Sequence, residues 1–203
     1  MKKIIVFTFI VICSTFSLYG QNEKPKDNKI NLENISLSGL TFRSIGPAVT
    51  GGRIVDIAVN PKNNSEYYVA SGHGNLWKTT NRGITFLPTF DNQNSYSIGA
   101  VTLDPQNPNV VWVATGENNA QSNVIPGDGV YKSENAGKTW KNMGLKETEQ
   151  LGEVIVHPNN SNIIWVAAYG SHRTSGGQRG VFRTKDGGKT WDRVLYISDN
   201  TGC

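Results

Sequence analysis

Two acidic side chains lie where a carboxylate could take part in chemistry. Asp56 and Glu153 are set in apolar, strand-like segments, where an unpaired charge is costly. Two carboxyl groups held close together are what hydrolysis of a glycosidic bond requires. The alternative is a hydrogen-bonded acid that ties neighbouring parts of the fold together. The sequence marks Asp56 and Glu153 as catalytic candidates and otherwise leaves the catalytic residues unknown.

Long polar loops are the second place where function could lie. GENNAQSNVIPGDG (116–129) and YGSHRTSGGQRG (169–180) each separate two apolar runs. Loops of this kind on a rigid scaffold often carry binding residues, although each residue could equally be a solvated loop side chain. The candidates for a ligand-binding face are Arg43, Arg53, His73, Glu117, Asn118, Asn119, Asp128, His172, Arg173, Gln178 and Arg179.

Aspartate-containing turns raise the question of a metal site. The turn TKDGGKTW (184–191) offers one carboxylate beside two lysines, whereas a calcium loop needs several oxygen ligands at alternating positions. The three histidines, His73, His157 and His172, are too dispersed along the chain to predict a zinc site. The sequence therefore predicts neither a metal nor a cofactor.

These candidate residues belong to repeated units. LWKTTNRGITF (76–86), VYKSENAGKTW (130–140) and VFRTKDGGKTW (181–191) align without gaps. A preceding block also aligns, over 53–71, 97–115 and 150–168, with a proline-containing turn between two apolar runs. Four short strands repeated every ~50 residues are typical of a β-propeller.

The repeats predict an all-β fold, a β-propeller built of four-stranded antiparallel blades, with three blades present as an incomplete N-terminal part of a larger propeller. The blades are expected at about 53–90, 98–143 and 151–197, and the strand at 41–46 is expected to complete the last blade. The predicted strands are 53–59, 66–71, 75–80 and 85–90; 98–103, 109–115, 129–133 and 139–143; and 151–156, 162–168, 180–184 and 190–197.

The repeated motif is interpreted as a structural turn between the third and fourth strands of each blade. Its Asp or Asn side chain can accept backbone N–H groups, its glycine suits a positive φ, and its terminal aromatic residue can cover the hairpin. The residues assigned to this role are Thr79, Asn81, Gly83, Phe86, Ser133, Asn135, Gly137, Trp140, Thr184, Asp186, Gly188 and Trp191.

The N-terminus has the pattern of a secretory signal peptide. Lys2 and Lys3 precede a short apolar run that ends near Gly20. Residues 21–38 are interpreted as a flexible leader and residues 39–203 as the propeller segment. We therefore expect a secreted or extracytoplasmic protein, in the periplasm or at the cell surface, with no membrane span after cleavage. The net charge of +4 is slight and forms no basic stripe, which argues against a nucleic-acid partner.

The three turn motifs resemble the Asp-box (bacterial neuraminidase, BNR) repeat, and their spacing is similar to that of sortilin/vacuolar sorting receptor-like propellers. FRSIGPAVTGGRIVDIAV (42–59) resembles secreted bacterial glycosyl-hydrolase-like repeat proteins. Xyloglucanase-type glycoside hydrolases and photosystem II assembly-factor propellers are similar in repeat design. The resemblance covers residues 41–203 and implies architecture rather than activity. Xyloglucanase-type enzymes carry an acid shortly before the third strand of the first blade, where this sequence has His73.

The resemblance implies a sortilin-like binding or scaffold module for an extracellular protein, peptide or glycan, packed against the remaining blades of its own chain. One alternative is a fragment of a xyloglucanase- or sialidase-like glycoside hydrolase with catalytic residues partly beyond the chain end. Another is an extracytoplasmic assembly factor. A role without catalysis is favoured, and glycoside hydrolysis is the expected activity if there is one.

Overall fold

Twelve strands form three four-stranded antiparallel sheets within the residues that the computed structural model describes, which are Gly39, 52–119 and 124–203. The first sheet contains β1 (Ile54–Val59), β2 (Tyr67–Ser71), β3 (Asn75–Thr79) and β4 (Leu87–Pro88). The second contains β5 (Ile98–Leu103), β6 (Val111–Thr115), β7 (Val130–Ser133) and β8 (Lys141–Asn142). The third contains β9 (Leu151–His157), β10 (Asn160–Ala168), β11 (Gly180–Thr184) and β12 (Asp192–Leu195).

The predicted fold of three antiparallel propeller blades is confirmed. Within each sheet the strands lie in chain order, and the first strands β1, β5 and β9 are neighbours across the blades. The fourth strands are shorter than expected, because the hairpin turn takes up the residues before them. The signal peptide, the leader and the strand at 41–46 lie outside the described residues and stay predictions. In the described ranges, no helix has the length and apolar character needed to cross a membrane.

Two apolar cores hold the three blades together, one at each interface. Alternation along the strands places apolar side chains on both faces of the second sheet, which is covered on both sides. The first core contains Tyr68, Leu76, Phe90, Val101, Leu103, Val113 and Tyr131, and the second contains Trp112, Val130, Leu145, Leu151, Val154, Ile164 and Phe182. The second blade is therefore the one whose packing is complete on both faces.

Each hairpin turn is fixed by a single hydroxyl group. The Thr184 hydroxyl donates to Asp186 Oδ1 at 2.7 Å and accepts the Gly188 N–H at 2.9 Å. Asp186 Oδ1 also accepts the Thr190 N–H, and Asp186 Oδ2 accepts the Thr190 hydroxyl at 2.6 Å. Thr79 with Asn81, and Ser133 with Asn135, form the same network in the other blades. In these two blades an asparagine amide takes the place of the aspartate carboxylate. Its nitrogen donates a hydrogen bond to the hydroxyl of the threonine four residues later, so the contact at the end of the turn is kept.

The tryptophans that end two of these turns lie between blades rather than over their own hairpins. Trp140 Nε1 donates to the Thr89 carbonyl of the first blade at 2.7 Å, and its ring packs edge-on against Phe90. Trp191 Nε1 donates to the Met143 carbonyl of the second blade at 2.8 Å. The turn therefore orients one large side chain against the preceding blade, where it is partly buried and hydrogen-bonded.

The contact of a turn glycine with the preceding blade can be tested by Gly188→Ala. Gly188 has φ of 92°, and an added Cβ would lie 2.8 Å from Trp112 Cη2. Gly176→Ala is a matched control, because φ is 86° and nothing lies within 4 Å of the added atom. We expect Gly188→Ala to lower the free energy of unfolding by about 1–3 kcal/mol more than the control does. Equal losses in chemical denaturation would contradict the packing argument.

Asp186 makes the third hairpin turn sensitive to acid. Hydrogen bonds from the Thr190 hydroxyl, and then from the Thr190 amide and the Thr184 hydroxyl, hold the pKa of Asp186 well below its usual range. A lowered pKa in the folded state gives stability that is present above the ordinary carboxyl pKa of about 4 and is lost as the pH falls further. We expect the Asp186→Asn variant to have the same melting temperature as the parent at pH 7. Below about pH 4 its melting temperature should fall less than that of the parent, because asparagine does not titrate. Parallel pH profiles for the two proteins would refute the assignment.

Candidate functional site

The loops that vary in length lie at one end of the blades, and the hairpin turns lie at the other. The β2–β3, β6–β7 and β10–β11 connections share the first end with the segments that link one blade to the next. Hydrogen bonds join these two kinds of segment: the Asn75 N–H donates to the Tyr96 carbonyl, and the Tyr169 N–H donates to the Gln150 carbonyl. We call this end, which contains residues 72–74, 91–97, 116–119, 124–129, 145–150, 169–179 and 196–203, the loop end.

A buried carboxylate between the first two blades organises part of the loop end. The Glu117 side chain is only 2% exposed, and it forms an ion pair with Arg53 and contacts the His73 imidazole. His73 Nε2 lies 2.7 Å from Glu117 Oε2, and Arg53 contacts Oε1. The structure therefore joins three of the predicted ligand-binding residues, which come from the position just before β1, the β2–β3 turn and the loop after β6.

The position of Glu117 depends on a glycine in the neighbouring turn. An added Cβ at Gly72 would lie 2.6 Å from Glu117 Oε1, so a side chain there would displace the carboxylate. The Gly72 N–H donates to the Arg53 carbonyl at 3.0 Å, which places Arg53 at the entrance of the same turn. Because Arg53 and His73 are partly exposed while Glu117 is not, the cluster presents cationic and imidazole groups to solvent above an inner carboxylate.

Asp56 and Glu153 occupy equivalent positions on the inner strands β1 and β9, and their surroundings differ. Asp56 Oδ2 accepts the Val101 N–H of β5 at 2.8 Å, and Oδ1 accepts the Ile57 N–H, so this side chain links the first two blades. Glu153 Oε1 accepts the Val154 N–H at 3.0 Å. Burial raises the pKa of Glu153, and the negative charge of Asp56 raises it further. Asp56 is thus engaged by two backbone donors, one of them in the next blade, whereas Glu153 is engaged by one donor of its own strand and has a raised pKa.

The β10–β11 loop is held in shape from within by Arg179. This side chain is 5% exposed, and its guanidinium donates to the carbonyls of Tyr169, Ser171, Thr174 and Gly176. Arginine has enough donors in a planar fork to satisfy several backbone acceptors at once. The structure therefore places Arg179 inside the loop, where it is positioned to organise the loop.

Beside this loop lies an open, polar cavity of about 480 Å³. Its walls include Tyr169, His172, Arg173, Ser175 and Asn200. The Tyr169 and His172 rings lie against each other, with centroids 4.4 Å apart and planes inclined by 31°. Aromatic rings beside hydroxyl, amide and guanidinium groups form a surface that offers both apolar contact and hydrogen bonds.

The remaining predicted site residues are distributed over the loop end. The Asn118 amide donates to the Gly152 carbonyl of the third blade at 3.2 Å, and Asn119 is half-buried next to it. Asp128 Oδ2 accepts the Tyr131 hydroxyl at 2.5 Å; burial, and then this bond, raise the pKa of Tyr131 to about 12. Gln178 is half-buried in the β10–β11 loop. Arg43 lies outside the described residues.

A second cavity, of about 340 Å³, lies at the opposite end between the hairpin turns of the second and third blades. Lys132, Glu134, Lys141, Asp186 and Lys189 are among the residues that line it. Lys132 is paired with Glu134 at 2.8 Å. No group of three or more histidine, cysteine, aspartate or glutamate side chains suited to a metal ion occurs among the described residues.

Sequence reasoning missed two residues of the loop end. Tyr169 and Asn200 line the larger cavity, but the first was only counted as the start of the polar loop 169–180 and was not singled out, and the second was read as part of the chain end. An aromatic residue directly after a buried strand and before a polar loop was the available signal for Tyr169. Nothing local in the sequence marks Asn200, because it is brought to the cavity by the path of the segment after β12.

Comparison with known proteins shows the fold. No protein-family model matches the sequence. The chain is 22% identical over 167 residues to a xyloglucanase from Paenibacillus sp, covering 76% of this chain and 16% of that protein. It is 29% identical over 161 residues to a xyloglucanase from Hypocrea jecorina, covering 71% of this chain and 18% of that protein. The chain thus spans less than a fifth of the length of these relatives.

The solved structures agree with the blade arrangement. The crystal structure of an ancestral GH74 enzyme matches with a TM-score of 0.60 and 24% identity, over 74% of this chain and 19% of that one. At this level of identity the match establishes the β-propeller fold alone. The relatives are named as xyloglucanases, which makes a propeller with similarity to glycoside hydrolases the coarse description of the chain.

The buried carboxylate cluster can be tested by Glu117→Gln. This change removes the charge that neutralises Arg53 and leaves an amide in a buried position, so we expect the free energy of unfolding to fall by about 1–3 kcal/mol. Glu134→Gln removes one partner of an exposed ion pair, where Glu134 is 75% exposed, and should change stability little. Urea denaturation of both variants provides the comparison. Equal, small effects would show that the Glu117 pairs do not stabilise the blade interface.

Proposed function

We propose that this chain is a propeller module of a carbohydrate-active protein and that its loop end binds a β-glucan of the xyloglucan class. The observation that carries the proposal is the cavity beside Tyr169 and His172, in which aromatic rings adjoin hydroxyl, amide and guanidinium groups. A glycan has apolar C–H faces and a rim of hydroxyl groups, so it needs both kinds of contact. The names of the relatives supply the choice of glycan.

The internal contacts of the loop end support binding by this surface. Arg179 shapes the β10–β11 loop, while Arg173 in the same loop is exposed. Glu117 is paired with Arg53 and covered by His73, so the interface between the first two blades does not present an unpaired carboxylate to a ligand. A polysaccharide lying across the loop end would contact exposed side-chain donors. The loops that carry these donors are already held in shape by their own hydrogen bonds, which lowers the entropic cost of binding.

Hydrolysis is a second candidate function, and one observation favours it. The pKa of Glu153 is raised by burial, and Asp56 raises it further, and a raised carboxyl pKa is what a general acid requires. The xyloglucanase names of the relatives agree with such an activity. In this reading Glu153 would protonate the leaving oxygen.

The proposed extracytoplasmic location continues to rest on the N-terminal sequence.

Binding can be tested with xyloglucan oligosaccharides by isothermal titration calorimetry. Arg173→Ala and Tyr169→Ala should each weaken binding about 5- to 30-fold, since each removes a contact worth about 1–2 kcal/mol. Lys189→Ala is the matched control, because it removes an exposed positive charge at the opposite end of the blades. Cello-oligosaccharides and an acidic peptide serve as comparison ligands. Equal binding by all variants, or preference for the peptide, would refute the proposal.

Catalysis is tested separately by the release of reducing ends from xyloglucan. If Glu153 is the general acid, Glu153→Gln should abolish release without changing the binding measured by calorimetry. Asp192→Asn provides a control at an exposed carboxylate of β12. Release by the Glu153→Gln variant at the parent rate would exclude Glu153 from this role.

A further inference from the structure

The cavity between the hairpin turns of the second and third blades, here called the turn cavity, is separate from the loop end. It has a volume of about 340 Å³, and both blades that form its walls lie within the described residues. Cavities of about 300–1,000 Å³ are the size that small-molecule ligands occupy. The turn cavity therefore has room for a ligand the size of a sugar ring.

Lysine side chains line the turn cavity, and their charges are unequally compensated. Lys132 and Lys141 are direct cross-strand partners on β7 and β8, which places two like charges side by side. Lys132 pairs with Glu134 at 2.8 Å, and its Nζ lies 5.5 Å from the centroid of the Trp112 ring. Lys141 and Lys189 are exposed, and neither forms an ion pair with the residues that the structure describes. Two positive charges at the turn cavity are thus left without a counter-charge.

The carboxylates of the turn cavity are engaged elsewhere. Both oxygens of Asp186 accept hydrogen bonds from within their own hairpin turn, where Thr190 donates through its N–H and its hydroxyl. The hydrogen bond and the charge of Lys132, and then the charge of Lys141, hold the pKa of Glu134 below its usual value. Because two charged carboxylates stay nearby, a singly charged anion suits the turn cavity better than a multiply charged phosphate.

The equivalent lysine of the first blade is used differently. By alignment of the repeats Lys78 corresponds to Lys132, and it donates to the Ala136 carbonyl in the hairpin turn of the second blade at 3.3 Å. Leu87 stands at the position of Lys141. The two uncompensated lysines are therefore particular to the second interface, and the repeated motif does not require them.

The neutral groups of the turn cavity suit a ring that carries hydroxyl groups. Trp140 and Met143 contribute apolar surface. Thr139 contributes a hydroxyl from the second blade, and Asn162 contributes an amide from the third. The Thr139 hydroxyl accepts the Asn135 amide at 2.8 Å, which leaves its own proton to donate. Apolar contact, hydrogen bonds and positive charge are thus available from different walls of one cavity.

We propose that the turn cavity binds a sugar acid, a hexuronate, whose carboxylate is held by the ammonium groups of Lys141 and Lys189. The Trp140 ring contacts a C–H face of the sugar, and Thr139 and Asn162 bind its hydroxyl groups. This site lies at the opposite end of the blades from the surface that we propose for xyloglucan, and neither depends on the other. Xyloglucan is neutral, so removing Lys189 does not affect its binding at the loop end.

Titration of the full chain with methyl β-glucuronide, followed by NMR of the tryptophan indole N–H groups, tests this site. We expect a saturable shift of the Trp140 signal and none of the Trp77 signal, since Trp77 lies in the first blade. Methyl β-glucoside has the same ring without the charge and should bind at least about 10-fold more weakly. Lys141→Gln and Lys189→Gln should each weaken glucuronide binding about 3- to 10-fold, because each removes one charge-assisted hydrogen bond that solvent partly screens.

The matched control is Lys185→Gln. Lys185 is an exposed lysine of the third hairpin turn and is outside the residues that line the turn cavity. Its removal changes the net charge equally and should leave glucuronide binding unchanged. The indole signals of each variant, recorded without ligand, show whether its fold is that of the parent.

Three results would overturn the proposal. The first is a Trp140 signal that does not move, or that moves equally with the glucoside. The second is an equal loss of affinity in Lys185→Gln, which would assign the effect to overall charge. The third is competition by sodium acetate that is as strong, mole for mole, as that of the glucuronide, because the turn cavity would then recognise a carboxylate without its sugar.

Discussion

The structure depends on one hydroxyl group in each hairpin turn. Thr79, Ser133 and Thr184 each accept the N–H of the turn glycine at 2.9 Å and donate to the Asp or Asn side chain two residues later. These bonds lie within the turn and involve no residue of another blade. The last residue of the turn then projects sideways, and in two of the three blades it is a tryptophan that binds the preceding blade. Local hydrogen bonding thus determines long-range packing.

The sequence predicted the blades well because both of their determinants are local. Alternating apolar residues and proline-containing turns define the strands, and the predicted spans 98–103 and 180–184 coincide with β5 and β11. The position of the turn tryptophans was less predictable. A side chain such as Trp140 can cover its own hairpin or the next blade, and the choice depends on the angle between sheets, which no local pattern encodes.

The candidate site was predictable as a region and much less so in detail. Loop length and polarity directed attention to the loop end, where the structure brings Arg53, His73 and Glu117 together from separate parts of the chain. Their pairing requires the first and second blades to be placed side by side, so it could not be read from spacing. The same holds for Asp56: its bond to the Val101 N–H connects two blades, while Glu153 at the same repeat position makes no such bond to another blade among the described residues.

Burial separates the polar loop residues into two groups with different consequences. Glu117 and Arg179 are nearly inaccessible to solvent. Glu117 contacts neighbouring side chains, and Arg179 donates hydrogen bonds to carbonyls of its own loop. Such residues fix the shape of a surface, since losing one partner leaves a buried polar group unsatisfied. Arg173 is exposed and borders the open cavity with Tyr169. Polarity in a loop therefore does not by itself separate the side chains that fix the shape of the surface from those that face solvent, and burial does.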